Sequence, residues 1–269
     1  MHRVLEVSLE DGTRLQCCCP EDLAIHKGDP CVLDAKELLE FGHVTNLGRR
    51  VDELPAGKPL PKLLRRATLQ DQAKASENAL VGNMAWKTCR EKIQELKLDM
   101  CLIRVHYSFD RKKLTVCFTA EQRVDFRQLV KVLAQDLNTR VEMRQIGPRD
   151  AAALIGGFGP CGRLLCCCTW LRKLEPVTIR MAKDQGVSLN PNTLNGMCGR
   201  LKCCLRYEHG TYKDLDRCVP RCGATVSCIE GRGHVVSRNV LLRRVKVRLD
   251  DSRALDLSVE DVQQENRGR

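Results

Sequence analysis

Cys161-Gly162-Arg163-Leu164-Leu165-Cys166-Cys167 recurs 37 residues later as Cys198-Gly199-Arg200-Leu201-Lys202-Cys203-Cys204, with six of seven positions identical. A match of that length within one chain marks an internal duplication. Thiolates are the soft ligands that zinc and iron–sulfur clusters select, and the two copies together offer six. Structural zinc uses C-x₂₋₄-C knuckles, whereas here a second cysteine is attached to each C-x₄-C. Plant-type iron–sulfur proteins also use C-x₄-C, followed by a C-x₂-C that this chain lacks. Spacing therefore leaves zinc and a cluster open. Packing alone is the third reading, and preservation of the Gly-Arg pair in both copies weighs against it.

Each first cysteine follows a turn, Phe158-Gly159-Pro160 or Leu194-Asn195-Gly196, and is expected to open a short apolar helical segment. Amides at a helix N-terminus, with Arg163 or Arg200 beside the motif, would favour the thiolate. Neighbours on a helix point about 100° apart, so one of Cys166/Cys167 and one of Cys203/Cys204 is expected to face a metal.

Seventeen cysteines would suit a disulfide framework in a small secreted protein. Glu6, Glu10 and Asp11 interrupt the stretch that a signal peptide keeps apolar, and no apolar run approaches the roughly 20 residues of a membrane helix. The expectation is a reducing cytosol, where clustered thiols hold metal or pack in cores. Cys17-Cys18-Cys19 falls on an alternating strand, and core packing is expected there. The motif assigns no role to Cys168 or to Cys218, Cys222 and Cys228.

Enzymatic signatures are missing. His2, His26, His43, His106, His209 and His234 are scattered, and Gly156-Gly157-Phe158-Gly159 lacks the lysine and spacing of a phosphate loop. A thiol oxidoreductase needs Cys-x-x-Cys, which occurs nowhere. The chain is expected not to be an enzyme.

The elements that must position the cysteines read as α+β. Residues 1–52 form a small antiparallel β unit with a hairpin at Asp11-Gly12, and 53–62, with Pro55, Pro59 and Pro61, form a linker. Leu63 to Lys97 reads as helix, interrupted near Val81-Gly82-Asn83. Over 63–146 the order is α-β-β-α-β, which predicts a ferredoxin-like split-βαβ unit. A Cys-rich helical module spans 147–220, and 221–264 return to a small antiparallel β unit. Residues 1–60 carry 7 Lys/Arg against 11 Asp/Glu, and residues 61–160 carry 18 against 11. A basic surface with Arg243-Arg244-Val245-Lys246-Val247-Arg248 admits RNA contact, though aromatics at 4% leave little for base stacking. A zinc-stabilised RNA-binding module is therefore the alternative reading.

Gly147-Pro148-Arg149-Asp150, the run Gly156 to Cys167, Glu175-Pro176-Val177-Thr178-Ile179-Arg180-Met181-Ala182-Lys183-Asp184-Gln185, Leu189-Asn190-Pro191 and Cys198 to Glu208 together resemble the bacterial YaaT/RicT family. That family shares a C-terminal domain with a yeast polymerase-suppressor protein. The resemblance covers residues 60–210 closely. It implies a non-enzymatic regulator of the sporulation type that carries [4Fe–4S] clusters, assembles with two small RicA- and RicF-like proteins, and helps RNase Y mature selected transcripts. The matching ligand positions are Cys161, Cys166, Cys167, Cys198, Cys203 and Cys204, with Arg163 and Arg200 beside them.

Overall fold

The computed structural model describes residues 2–20, 22–35, 38–48, 50–51, 60–171 and 173–264. Two compact units divide at residues 157 and 158.

The first unit opens on strands β1 (His2–Leu9), β2 (Arg14–Cys19), β3 (Pro30–Asp34), β4 (Leu39–Asn46), β5 (Arg50–Val51) and β6 (Lys62–Arg66). They form one six-stranded sheet in the order β2-β6-β3-β4-β1-β5, with β1 and β2 also paired. Asp11 accepts from the Thr13 amide at 2.7 Å, and Gly12 takes the left-handed φ of 80° that closes the β1–β2 turn. Alternation then buries Cys17 and Cys19 with Leu5, Val7, Cys31 and Leu33. Core packing holds for Cys17 and Cys19, whereas Cys18 between them is half-buried and outside this core. Burial pushes the thiols of Cys17 and Cys31 up to about 12, and neighbouring cysteines add to it at both positions.

Leu63–Arg66 is a strand, where helix was expected. Its pairing with Cys31–Asp34 outweighs the local helical pattern and places the end of the 53–62 segment in the first sheet. Residues 53–59 of that segment lie outside the described residues. Helix α1 (Leu69–Glu95) starts at a capping box, in which Thr68 accepts from the Asp71 amide and Asp71 accepts from the Thr68 amide. Asp71 also pairs with Arg65, and this pairing, ahead of the Thr68 bonds, holds its carboxyl well below the carboxylate range. The contribution of Asp71 is present above the ordinary value near ~3.9 and is lost as pH falls toward the depressed one. Thr68→Ala should cost about 1 kcal/mol in urea unfolding, by loss of the cap. The expected break at Gly82 does not occur. Gly82 is buried inside α1 with no left-handed φ, and tertiary burial of this helix face carries the helix through the glycine.

Strands β7 (Cys101–Tyr107) and β8 (Lys113–Thr119), helix α2 (Arg127–Asp136) and strand β9 (Arg140–Gln145) complete the α-β-β-α-β order. Leu114, Val116, Leu129 and Leu133 are buried against Ala85 and Cys89 of α1. The sheet order is β7-β8-β9, with β8 and β9 paired in parallel from Lys113–Arg140 to Phe118–Gln145. The expected split is therefore corrected: β8 and β9 hydrogen-bond directly, leaving no room for a strand between them. Helix α3 (Pro148–Ile155), placed by sequence with the Cys-rich module, falls in the first unit and buries Ala151.

Among its described residues the second unit holds the α-helices α4 (Cys166–Thr169), α5 (Ile179–Asp184), α6 (Pro191–Leu194) and α7 (Cys203–Cys218). Five strands follow: β10 (Thr225–Cys228), β11 (Gly231–Asn239), β12 (Arg244–Leu249), β13 (Ala254–Ser258) and β14 (Gln263–Gln264). They make an antiparallel sheet in the order β13-β12-β11-β10-β14, as expected for 221–264. Val226, Val235, Val245, Val247 and Leu249 form its core, and Arg238 of β11 binds Asp216 of α7 at 2.6 Å. No helix is long and apolar enough to cross a membrane among the described residues.

Candidate metal centre

The two copies of the motif repeat the same bridge and the same loop hydrogen bonds. In the first, Phe158 and Leu164 form a lone β-bridge that closes a tight loop. The Gly159 amide donates to the Arg163 carbonyl at 2.8 Å, and the Gly162 amide donates to the Gly159 carbonyl at 2.9 Å. In the second, Asn195 bridges Leu201, Gly196 donates to Arg200 at 2.9 Å, and Gly199 donates to Gly196 at 3.0 Å. Gly162 and Gly199 sit at φ of 76° and 71°, a left-handed conformation that costs a side-chain-bearing residue roughly 1–2 kcal/mol. The repeated Cys-Gly dipeptide thus has a backbone cause. A Cβ built on Gly159 would lie 3.4 Å from the Cys161 sulfur, and one on Gly196 would lie 3.8 Å from that of Cys198, so each first sulfur folds back over its loop.

The first cysteines do not open helices, contrary to expectation. The left-handed glycine that follows each of them prevents it. Helices begin instead at the second cysteines, with Leu165 and Lys202 as the matching extended residues before Cys166 and Cys203. Cys166/Cys167 and Cys203/Cys204 therefore occupy first turns, where amide donors lack partners within the helix. Each half-site is one loop sulfur followed by a helix-start pair.

Cys161 is exposed, Cys166, Cys198, Cys203 and Cys204 are half-buried, and Cys167 is buried. Burial pushes the Cys166 thiol up, and the sulfurs of Cys203 and Cys161 push it further. Cys204 is raised by burial first, then by Glu208, Cys203 and Cys166. Sulfurs from both copies thus lie within electrostatic reach of one another, and adding negative charge to any one of them opposes the rest. The Arg163 and Arg200 side chains are exposed. What the arginines contribute to the loops is a backbone carbonyl.

Among the described residues, no three Cys, His, Asp or Glu side chains are already gathered around a point that would hold a metal ion. The donor chemistry nevertheless fits a thiophilic metal. A cation would reverse the mutual opposition of these thiolates, which burial alone makes unfavourable. Packing points the same way. The segment from Phe158 to Val219 has a core of Ala182, Leu194 and Leu205, with Val177, Val187 and Leu201 partly buried around it. So small an apolar cluster is the situation in which small domains use a metal staple. Cys161, Cys166, Cys198 and Cys203 are the equivalent positions that would hold it, with Cys204 next to them.

Sequence reasoning missed a cavity of about 210 Å³ beside Cys203, lined by Leu171, Lys173, Leu174, Glu175, Arg206 and Tyr207. Arg206 pairs with Glu175, and the Trp170 and Tyr207 rings meet edge to face at 4.5 Å. The signal was present as an aromatic residue after each helix-start cysteine run. Cys218 and Cys222 are exposed, whereas the Cys228 sulfur lies 3.3 Å from the Gly231 carbonyl in its hairpin.

Residues 61–146 match the PSP1 C-terminal conserved region, and residues 176–219 match the third domain of PSP1-like proteins. The chain is 39% identical to the stage 0 sporulation protein YaaT of Bacillus subtilis over 249 residues, covering 93% of this chain and 90% of that protein. It is 31% identical to protein PSP1 of Saccharomyces cerevisiae over 115 residues, which is 41% of this chain and 13% of the yeast protein. No solved structure matches it. Near-complete coverage by the Bacillus protein decides the matter: the chain belongs to the YaaT family of sporulation-type proteins, which carries the PSP1 C-terminal conserved region.

Proposed function

We propose that this chain is a non-enzymatic regulatory adaptor of the cytosol that carries a [4Fe–4S] cluster on its duplicated cysteine half-sites. In this reading it assembles with two small RicA- and RicF-like proteins and modulates RNase Y-dependent processing of messenger RNA. The observation that carries the metal is the repetition of one loop-plus-helix geometry around sulfurs that influence one another across the two copies. Family membership and the resemblance of the motifs support the partners and the RNA-processing role.

The half-sites are open enough for a shared centre. Cys161 is exposed and a cavity lies beside Cys203, so a partner has access to the metal's surroundings. The chain's own residues supply soft donors and partial exclusion of water. A bound cluster would supply charge and a redox-sensitive joint. Zinc is the second reading, favoured by a C-x₄-C spacing inside the range of structural zinc sites.

A pull-down of the two small partners on wild type, Cys161→Ser and Cys198→Ser tests the adaptor role. Partner binding should weaken about tenfold or more as metal is lost, by the scale on which ligand losses reduce affinity. Unchanged partner binding by metal-free variants would separate assembly from the cysteine site and overturn this reading.

A further inference from the structure

The outward face of the C-terminal sheet carries a line of positive charge that the cysteine site does not explain. On β12 the inward residues are Val245, Val247 and Leu249, so Arg244, Lys246 and Arg248 all point away from the core. Strand register sets His234 of β11 opposite Arg248, and Arg232 opposite Ser227 of β10, on the same exposed face. Ala254, Asp256 and Ser258 of β13 stand opposite Arg248, Lys246 and Arg244. The outward positions of these strands thus hold four cations and a histidine against one carboxylate. That carboxylate is committed: Asp256 binds Arg244 at 2.9 Å. Neither Lys246 nor Arg248 has an acidic partner within salt-bridge distance among the described residues.

We infer that this face binds the phosphodiester backbone of single-stranded nucleic acid. Outward residues on one strand recur about every 6.8 Å, so Arg244 to Arg248 make a straight row about 14 Å long. A row of that kind follows one extended backbone, whereas a duplex carries its phosphates on two arcs and a membrane presents a plane. Arg248 offers a planar fork suited to phosphate oxygens, with the Lys246 ammonium beside it on the same face. No Phe, Tyr or Trp stands among the outward residues named, so stacking contributes nothing here and the binding is indifferent to base sequence. The uncharged Thr225 and Ser227 on one side and the engaged Asp256 on the other confine the charge to the middle of the sheet.

The test is fluorescence anisotropy on the full chain, as purified with its metal, using labelled oligo(U), oligo(dT) and a duplex of equal length across a salt series. Oligo(U) and oligo(dT) should both bind, and more tightly than the duplex. The double substitution Lys246→Gln with Arg248→Gln should weaken binding about tenfold and flatten the log–log salt slope by about 1.4, at ~0.7 per lost phosphate contact. Both positions are exposed, so an unchanged thermal melt accompanies the loss. Lys87→Gln with Arg90→Gln on α1 removes the same net charge elsewhere and should leave affinity unaltered. An equal loss in this control pair would overturn the proposal, as would unchanged affinity in the sheet pair. Preference for duplex, or competition by poly-glutamate as strong as by oligo(U), would overturn it as well, the latter assigning the face to acidic polypeptides.

Discussion

Joint replacement of Cys166 and Cys203 by serine should reduce bound metal to less than about a tenth of the wild-type content, because both lost ligands stand at equivalent helix starts. These two residues occupy the same position in each copy, and Cys203 is the leading sulfur among those that raise the Cys166 thiol. Removing both takes a donor from each half-site and leaves the loops intact, since loop closure rests on backbone bonds of Gly159, Gly162, Gly196 and Gly199. Cys17→Ser and Cys31→Ser provide the contrast. Both thiols are fully buried in the first sheet, and burial holds them protonated, with values pushed up to about 12. At Cys17 a hydroxyl costs about 1–3 kcal/mol as an unsatisfied buried polar group, whereas at Cys31 it inherits the Gly42 carbonyl that the thiol reaches at 3.5 Å and should cost less, with no effect on metal at either position. Elemental analysis and urea unfolding on the same proteins separate the two classes of cysteine. Metal lost equally from both sets would place the centre elsewhere.

A second large effect is expected on stripping the metal. Structural zinc in small domains contributes an apparent ~10–16 kcal/mol of binding free energy that is also folding free energy. The Cys-rich segment has a small core of its own, Ala182, Leu194 and Leu205, and the end of α7 and Val219 reach the sheet that follows. The first unit has three larger cores among the described residues, around Leu5, Val7, Cys31 and Leu33, around Leu114, Val116, Leu129 and Leu133, and around Val32, Phe41 and Phe109. Amide hydrogen exchange after chelation should therefore show protection collapsing across α5, α6 and the first turns of α7, while β1–β4 and β7–β8 keep theirs. Native protection throughout the Cys-rich segment in metal-free protein would show that packing alone suffices.

Much of this architecture is legible in the residues, and the failures have identifiable causes. Asp11-Gly12 specifies its hairpin because side-chain capping and a left-handed glycine are both local. The duplicated motif predicts duplicated geometry, and the matched bridges Phe158–Leu164 and Asn195–Leu201 are its outcome. Leu63–Arg66 misleads because its partner, Cys31–Asp34, lies some thirty residues upstream, and pairing at that distance leaves no local trace. Gly82 misleads because glycine lowers helix propensity locally, whereas burial of Ala75, Asn78, Ala85, Cys89 and Ile93 along the same helix overrides that preference. Within the site, residue types identify the donors but not which cysteine begins a helix. The left-handed φ of Gly162 and Gly199 moves the helix start to the second cysteine. The sign of the thiol shifts was equally hidden. It depends on burial and on sulfurs brought from the other copy, whereas the adjacent arginines, which sequence places beside the motif, point their side chains to solvent.

The central claim, that the duplicated cysteines hold a thiolate-bound cluster, is tested most directly by anaerobic purification of the full chain. Iron, sulfide and zinc would be quantified per chain and the visible spectrum recorded, alone and with the partner proteins co-expressed. The account predicts brown protein with broad visible absorption and about four iron and four sulfide per cluster. Colourless protein with stoichiometric zinc would contradict the cluster and keep a metal on the duplicated loops. Folded protein containing neither metal, with the motif thiols free to titrate, would contradict the metal centre itself.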